Sequence, residues 1–194
     1  MSVLLFRAQA QNNAWANHRL LAACARLDPA EWAASRAGFF PSLVATLNHI
    51  LIVDWFYVDA LEGGWLGPAA WANRVPHPDL PGLRAAQLAV DRRLIAHCEA
   101  LDEAALAGIV RVNRGPRVQE ERRDRLLLHL FQHQIHHRGQ AHAMLSGTSA
   151  APPQLDEFYP AEEAPLRAAE FAELGFTEDA IWGAPDAKPH PATA

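Results

Sequence analysis

What most constrains this chain is where its breakers fall. Four long segments carry apolar residues at helical spacing, and proline and glycine gather between them rather than inside them. The first segment runs from Leu4 to Leu27 and is closed by Asp28-Pro29, because proline disfavours helix in the residue before it. The second opens at Pro41, a residue that suits a first helical turn, and ends at Gly63-Gly64. After a loop with Gly67, Pro68, Pro76, Pro78 and Pro81, the third covers Leu83 to Ala107 around Leu88, Leu94 and Ile95. The stretch Ile109 to Val118 holds Asn113, Gly115 and Pro116 and reads as a connection with some extended structure. The fourth helix spans Gln119 to Ser146 and is stopped by Gly147 and then by Pro152-Pro153.

Helices of about 25 residues are rods of roughly 37 Å, and such rods bury their apolar stripes by packing against each other. The fold class expected is therefore all-α, a four-helix bundle. Beyond Pro160 the pattern weakens: Ala164 to Leu174 predicts a short surface helix, and Gly183 to Ala194, rich in Pro and Ala, predicts disorder. Residues 1–160 thus read as the bundle and 161–194 as a C-terminal extension.

Half of the 194 residues are hydrophobic, enough for one well-filled core. The 17 basic and 22 acidic residues leave a net charge of -5, with no basic block to track a phosphate backbone, so nucleic acid is not an expected partner. Val3 to Phe6 is a short apolar run with no basic residue ahead of it, unlike a secretion signal. Charges or prolines interrupt every candidate for a span of about 20 residues, so no membrane crossing is expected. Two distant cysteines, Cys24 and Cys98, suit reduced core positions rather than a disulfide scaffold, and a cytoplasmic location is the corresponding expectation.

Five of the ten histidines crowd into the fourth helix, at positions 129, 133, 136, 137 and 142. At about 100° per residue, His133 and His137 lie some 40° apart, one turn above the other, so two imidazoles can converge on one ion. His129 lies a turn earlier on the same face, His136 at its edge and His142 on the opposite side. A third ligand must come from another element. The second helix offers one histidine, His49, in the middle of a stripe formed by Ala45, Ile52, Val53, Phe56 and Ala60. A neutral imidazole facing a core leaves two ring nitrogens to satisfy, at a cost of roughly 1–3 kcal/mol for one left unpaired. Three such rings sharing an ion would satisfy one nitrogen each. An i, i+4 histidine pair also arises by chance, and a core histidine can simply hydrogen-bond, so the residues alone leave both readings open.

The run H-L-F-Q-H-Q-I-H-H-R-G-Q-A-H, His129 to His142, closely resembles the signature of the DinB/YfiT superfamily of metal-binding four-helix bundles. L-V-A-T-L-N-H-I-L-I-V-D-W, Leu43 to Trp55, resembles its second helix, and N-N-A-W-A-N, Asn12 to Asn17, its first. P-P-Q-L-D-E-F-Y-P, Pro152 to Pro160, is similar to its usual continuation. The resemblance implies a metal site with one histidine from the second helix and two from the fourth. By position these are His49, His133 and His137. It also implies a family that includes thiol-dependent isomerases and S-transferases using low-molecular-weight thiols.

Other residues complete the expectations. Asp54 and Asp59 point away from His49 and read as solvated or interhelical charges. His129 and Gln140 border the histidine pair and are candidates to orient a ligand or relay a proton. Arg138 reads as packing or pairing with an acid, and Trp15, Trp55, Trp65 and Trp71 as core and loop packing. A second apolar stripe on the fourth helix, Leu127, Phe131, Ile135 and Leu145, suggests two neighbours for that helix and a homodimer. The function expected is a metal-dependent enzyme acting on a small molecule by transfer, isomerisation or hydrolysis, with zinc or nickel as the ion and a low-molecular-weight thiol as candidate cosubstrate. A non-catalytic metal-binding or ligand-sensing bundle is the alternative.

Overall fold

The first long helix, α1 (Ser2–Cys24), ends where the breakers predict, but Asp28-Pro29 also starts a one-turn helix, α2 (Pro29–Ala33). Asp28 and Glu31 form a reciprocal capping box there, each side chain satisfying a backbone donor of the other's region. The computed structural model describes residues 2–183, so the stretch 184–194, expected to be disordered, lies outside the described residues.

Ser42 caps α3 (Leu43–Leu61), its hydroxyl accepting from the Ala45 N–H at 3.3 Å. Helix α4 (Leu80–Glu99) begins earlier than expected because Asp79 accepts from the Gly82 N–H at 2.8 Å, with Pro81 in the first turn, where a missing N–H costs nothing. It also stops earlier, and Asp102 caps a separate turn, α5 (Glu103–Leu106).

β1 (Ile109–Asn113) and β2 (Val118–Arg122) pair antiparallel, with Val110 opposite Glu121 and Val112 opposite Gln119. Val110 and Val112 face the core while Ile109 and Arg111 face out. Gly115 takes a φ of 78° in the turn, which glycine allows without penalty. Helix α6 (Arg123–Leu145) therefore starts four residues after Gln119, which belongs to the strand.

In the bundle, α1 packs against α4 and α6, and α3 packs against the same two. The long helices thus form a ring in which α1 faces α3 across one diagonal and α4 faces α6 across the other. α3 is buried on almost every side, with Leu51, Val58 and Leu43 inaccessible. Its length and composition would also suit a bilayer, contrary to the expectation that no segment would, but 72% of its most apolar window is buried inside the protein. Of the second stripe on α6, Leu127, Phe131 and Leu145 are buried within the chain, whereas Ile135 stays 47% exposed.

The C-terminal segment lies on α1. Helices α7 (Ala164–Leu174) and α8 (Glu178–Trp182) close a second small core of Trp15, Phe158, Phe171 and Ile181. Arg167, fully buried, grips both Glu178 carboxylate oxygens at 2.8 Å and donates to the Glu157 and Pro160 carbonyls. These four charge-assisted bonds from one guanidinium tie the segment together.

Candidate metal centre

Because α3 and α6 are neighbours in the ring, His49 meets the i, i+4 pair of α6. His49 Nε2 and His133 Nε2 are 3.0 Å apart, and one donor nitrogen from each of His49, His133 and His137 lies within 4.8 Å of the others. The ring centroids are 4.4 to 5.0 Å apart. Two nitrogens each about 2.0–2.1 Å from one ion stand roughly 2.9 to 3.4 Å apart at octahedral to tetrahedral angles. The His49–His133 separation falls in that range. Among the described residues no carboxylate or thiol joins the group.

The three rings are held neutral. Burial, then the neighbouring His137, pushes His49 down to about 4. Burial and the other histidines push His133 down to about 3. Burial lowers His137 as well, partly opposed by its hydrogen bond to Gln140. Neutral imidazoles are the form that binds metals. Gln140 Oε1 accepts from His137 Nδ1–H at 2.8 Å, which leaves Nε2 of His137 as the available donor, and the Gln140 amide donates to His136 Nε2 at 3.1 Å. Nδ1 of His133 is buried without a partner among the described residues.

His136 stands edge-on to His137, 4.8 Å between ring centroids, at the rim of the cluster. His129 is exposed and stands edge-on to the Tyr57 ring, 5.3 Å between centroids. His142 bonds to the Pro153 carbonyl at 2.9 Å, consistent with its place on the opposite face.

Phe40, on the loop before α3, stacks on His49 at 4.3 Å and touches His137 at 5.6 Å. A cavity of about 440 Å³ opens beside it, lined by His49, Phe39, Ile52, Trp71 and Arg74. Trp71 is therefore not simply a packing residue, and Trp65 is 54% exposed rather than part of a core. Cys24 and Cys98 are both buried, which pushes each thiol up to about 12.

On the adjoining face, about 100° round the helix, α6 enters a polar network that joins all four long helices. Asp54 on α3 is buried and accepts from Gln87 and Gln134, both at 2.8 Å. Asp91 on α4 accepts from Asn13, Asn17 and Gln87 at 3.0 to 3.2 Å. Arg138 on α6 donates to the side-chain oxygens of Asn13 and Asn17, the latter at 3.1 Å. Asp54 is thus not solvated: it is interhelical and buried. Burial, reinforced by Asp91, pushes its carboxyl up to about 7, and burial pushes Asp91 up to about 6. Burial also pushes Arg138 down to about 10, against the pull of both carboxylates. Asp59 instead accepts from the Leu66 N–H at 2.7 Å and fixes the loop after α3. Asn13 and Asn17 fall inside the N-N-A-W-A-N run and Gln134 inside the histidine-rich one, but those motifs assign them no role; the spacing of Asn13 and Asn17, one turn apart, is the local signal for a shared partner, and Gln87 has none.

The fold has a solved counterpart. The crystal structure of a DinB-like protein from Bacillus cereus superposes with a TM-score of 0.58 at 14% identity, over 75% of this chain and 94% of that one. A comparison with curated protein sequences finds no match. The family model described as the DinB family matches residues 1–169, through every bundle helix and into α7. The chain is a member of the DinB family.

Proposed function

We propose that His49, His133 and His137 hold one divalent transition ion, zinc or nickel, and that the protein is a metal-dependent enzyme acting on a small molecule. The observation that carries this reading is the convergence of three neutral imidazoles, with the spacing of nitrogens that share an ion, and no fourth protein ligand among the described residues. A structural site is normally closed by four protein ligands, whereas a catalytic site keeps a position open. When bound, such an ion supplies Lewis acidity to whatever occupies its remaining positions.

The chain's own residues do the rest. Gln140 fixes the tautomer and direction of His137, and Phe40 screens one side of the triad from water. The adjoining cavity gives a substrate room next to His49. A thiol used in transfer or isomerisation would have to come from outside the chain, because both of its cysteines are buried and protonated.

Cobalt(II) in place of the native ion tests this. The visible bands should shift and gain a thiolate charge-transfer feature on adding a small thiol. A spectrum indifferent to thiols, azide and pH would contradict the enzyme reading, and a response to azide and pH without one to thiols would point to a hydrolase.

A further inference from the structure

The cavity beside the triad differs from an ordinary surface hollow in two ways. Its mouth exposes aromatic surface: Phe39 is 79% exposed, more than any other large hydrophobic side chain among the described residues, and Trp71 is 36% exposed. Ile52, Pro41 and Val75 add to an almost wholly apolar lining. Apolar surface concentrated in one concave place marks a site that something covers.

The second difference is electrostatic. Apart from His49, which burial keeps neutral, Arg74 is the one ionisable group on the wall. Its guanidinium makes no hydrogen bond or ion pair among the described residues, as is also true of Arg84, Arg92 and Arg117, but of these Arg74 alone lines this cavity. A cation without a protein partner, at the rim of an apolar cavity, suits a ligand that brings its own negative charge.

The geometry points to a substrate class: a flat, largely apolar or aromatic molecule carrying one anionic group, its ring against the Phe39, Phe40 and Trp71 side chains and its charge on Arg74. This rests on the proposed metal-dependent reading, which gives the cavity its reacting end at His49. The volume, about 440 Å³, falls within the roughly 300–1,000 Å³ of small-molecule sites. Aromatic rings in offset or edge contact would hold the apolar body, and Arg74 would set its direction so that the end remote from the charge meets the triad.

Calorimetric titration with three probes of one shape and different charge tests this: 1-naphthoate, 1-naphthalenemethanol and 1-naphthylmethylammonium. Each is run on metal-stripped and on zinc-loaded protein. Stripping removes direct coordination of a carboxylate by the ion, so a preference in the stripped protein reports Arg74 alone. Naphthoate should bind about fivefold more tightly than the alcohol, the size of a partly exposed charge-assisted contact, and the ammonium most weakly. Arg74→Gln should abolish that preference while leaving the alcohol unchanged, and Arg74→Lys should keep part of it. Phe39→Ser should weaken all three. Equal affinities, a preference for the cation, indifference to Arg74→Gln or no binding of any probe would overturn the assignment. If zinc fails to bind but naphthoate preference persists in the stripped protein, the metal reading fails and the cavity assignment stands.

Discussion

Replacing Arg138 by Met removes the only guanidinium in the network that joins the four long helices. Arg138 is 3% exposed, and its loss takes away the donors to Asn13 and Asn17 as well as the charge that offsets Asp54 and Asp91. Breaking a buried charge network by removing one partner costs about 3–5 kcal/mol, because the remaining charges stay buried. That is a large share of the roughly 5–15 kcal/mol that holds a domain together, and it should lower Tm by on the order of 10 °C. The effect should depend on pH. Asp54 and Asp91 have folded-state pKa values raised to about 7 and about 6 from 3.8, so their contribution is fully present below about 4 and is lost as pH rises through 6 to 7. At low pH both carboxyls are protonated and need no counter-charge. Urea unfolding of metal-stripped wild type and Arg138→Met, at about pH 7.5 and about pH 5, should therefore show a penalty that shrinks on acidification. Arg138→Lys, which keeps the charge, should lose less. A loss under about 1 kcal/mol at neutral pH, or a penalty equal at both pH values, would refute the reasoning.

Three further outcomes follow from the histidine cluster. Its rings have folded-state pKa values lowered from 6.5, to about 4 for His49 and about 3 for His133. Their contribution to the metal-free protein is present above 6.5 and is lost as pH falls toward 4 and 3, opposite in sign to that of the buried carboxyls, and calorimetry across pH 3–8 reads both limbs. For the same reason protons compete weakly for the site, and metal release followed with a chromophoric indicator should have its midpoint below pH 6.5. Gln140→Leu removes the acceptor that orients His137 and should raise the metal Kd by about 10–100-fold in a chelator competition, with the helix content unchanged.

The bundle was legible because its breakers are strong. Asp28-Pro29, Gly63-Gly64 and Gly147 each follow the end of a long helix, whereas the ends set by Asp79 and Asp102 turn on single side-chain caps that a periodicity argument overlooks. The hairpin was only half visible. Val110 and Val112 carry a two-residue alternation too short to stand out, and Gln119 to Arg122 have the composition of an exposed helix, so tertiary pairing decided their conformation. His49, His133 and His137 could be placed on facing surfaces from helical register alone, and the structure brings those three side chains together. Asp54 could not be read the same way. It points away from His49, which on an amphipathic helix would mean solvent, but α3 is buried almost all round, so away from the triad is into the bundle. Its partners Gln87 and Gln134 lie 33 and 80 residues distant, and no local spacing reveals them.

The central claim is that three histidines on two helices hold one ion. Elemental analysis of the purified protein and of His49→Ala, His133→Ala, His137→Ala and His142→Ala tests it directly. The account predicts one zinc or nickel per chain in the wild type and in His142→Ala, whose imidazole bonds to Pro153 on the other side of α6, and none retained stoichiometrically in the other three. Stoichiometric metal retained by all three of those variants, or lost from His142→Ala while they keep it, would contradict the account.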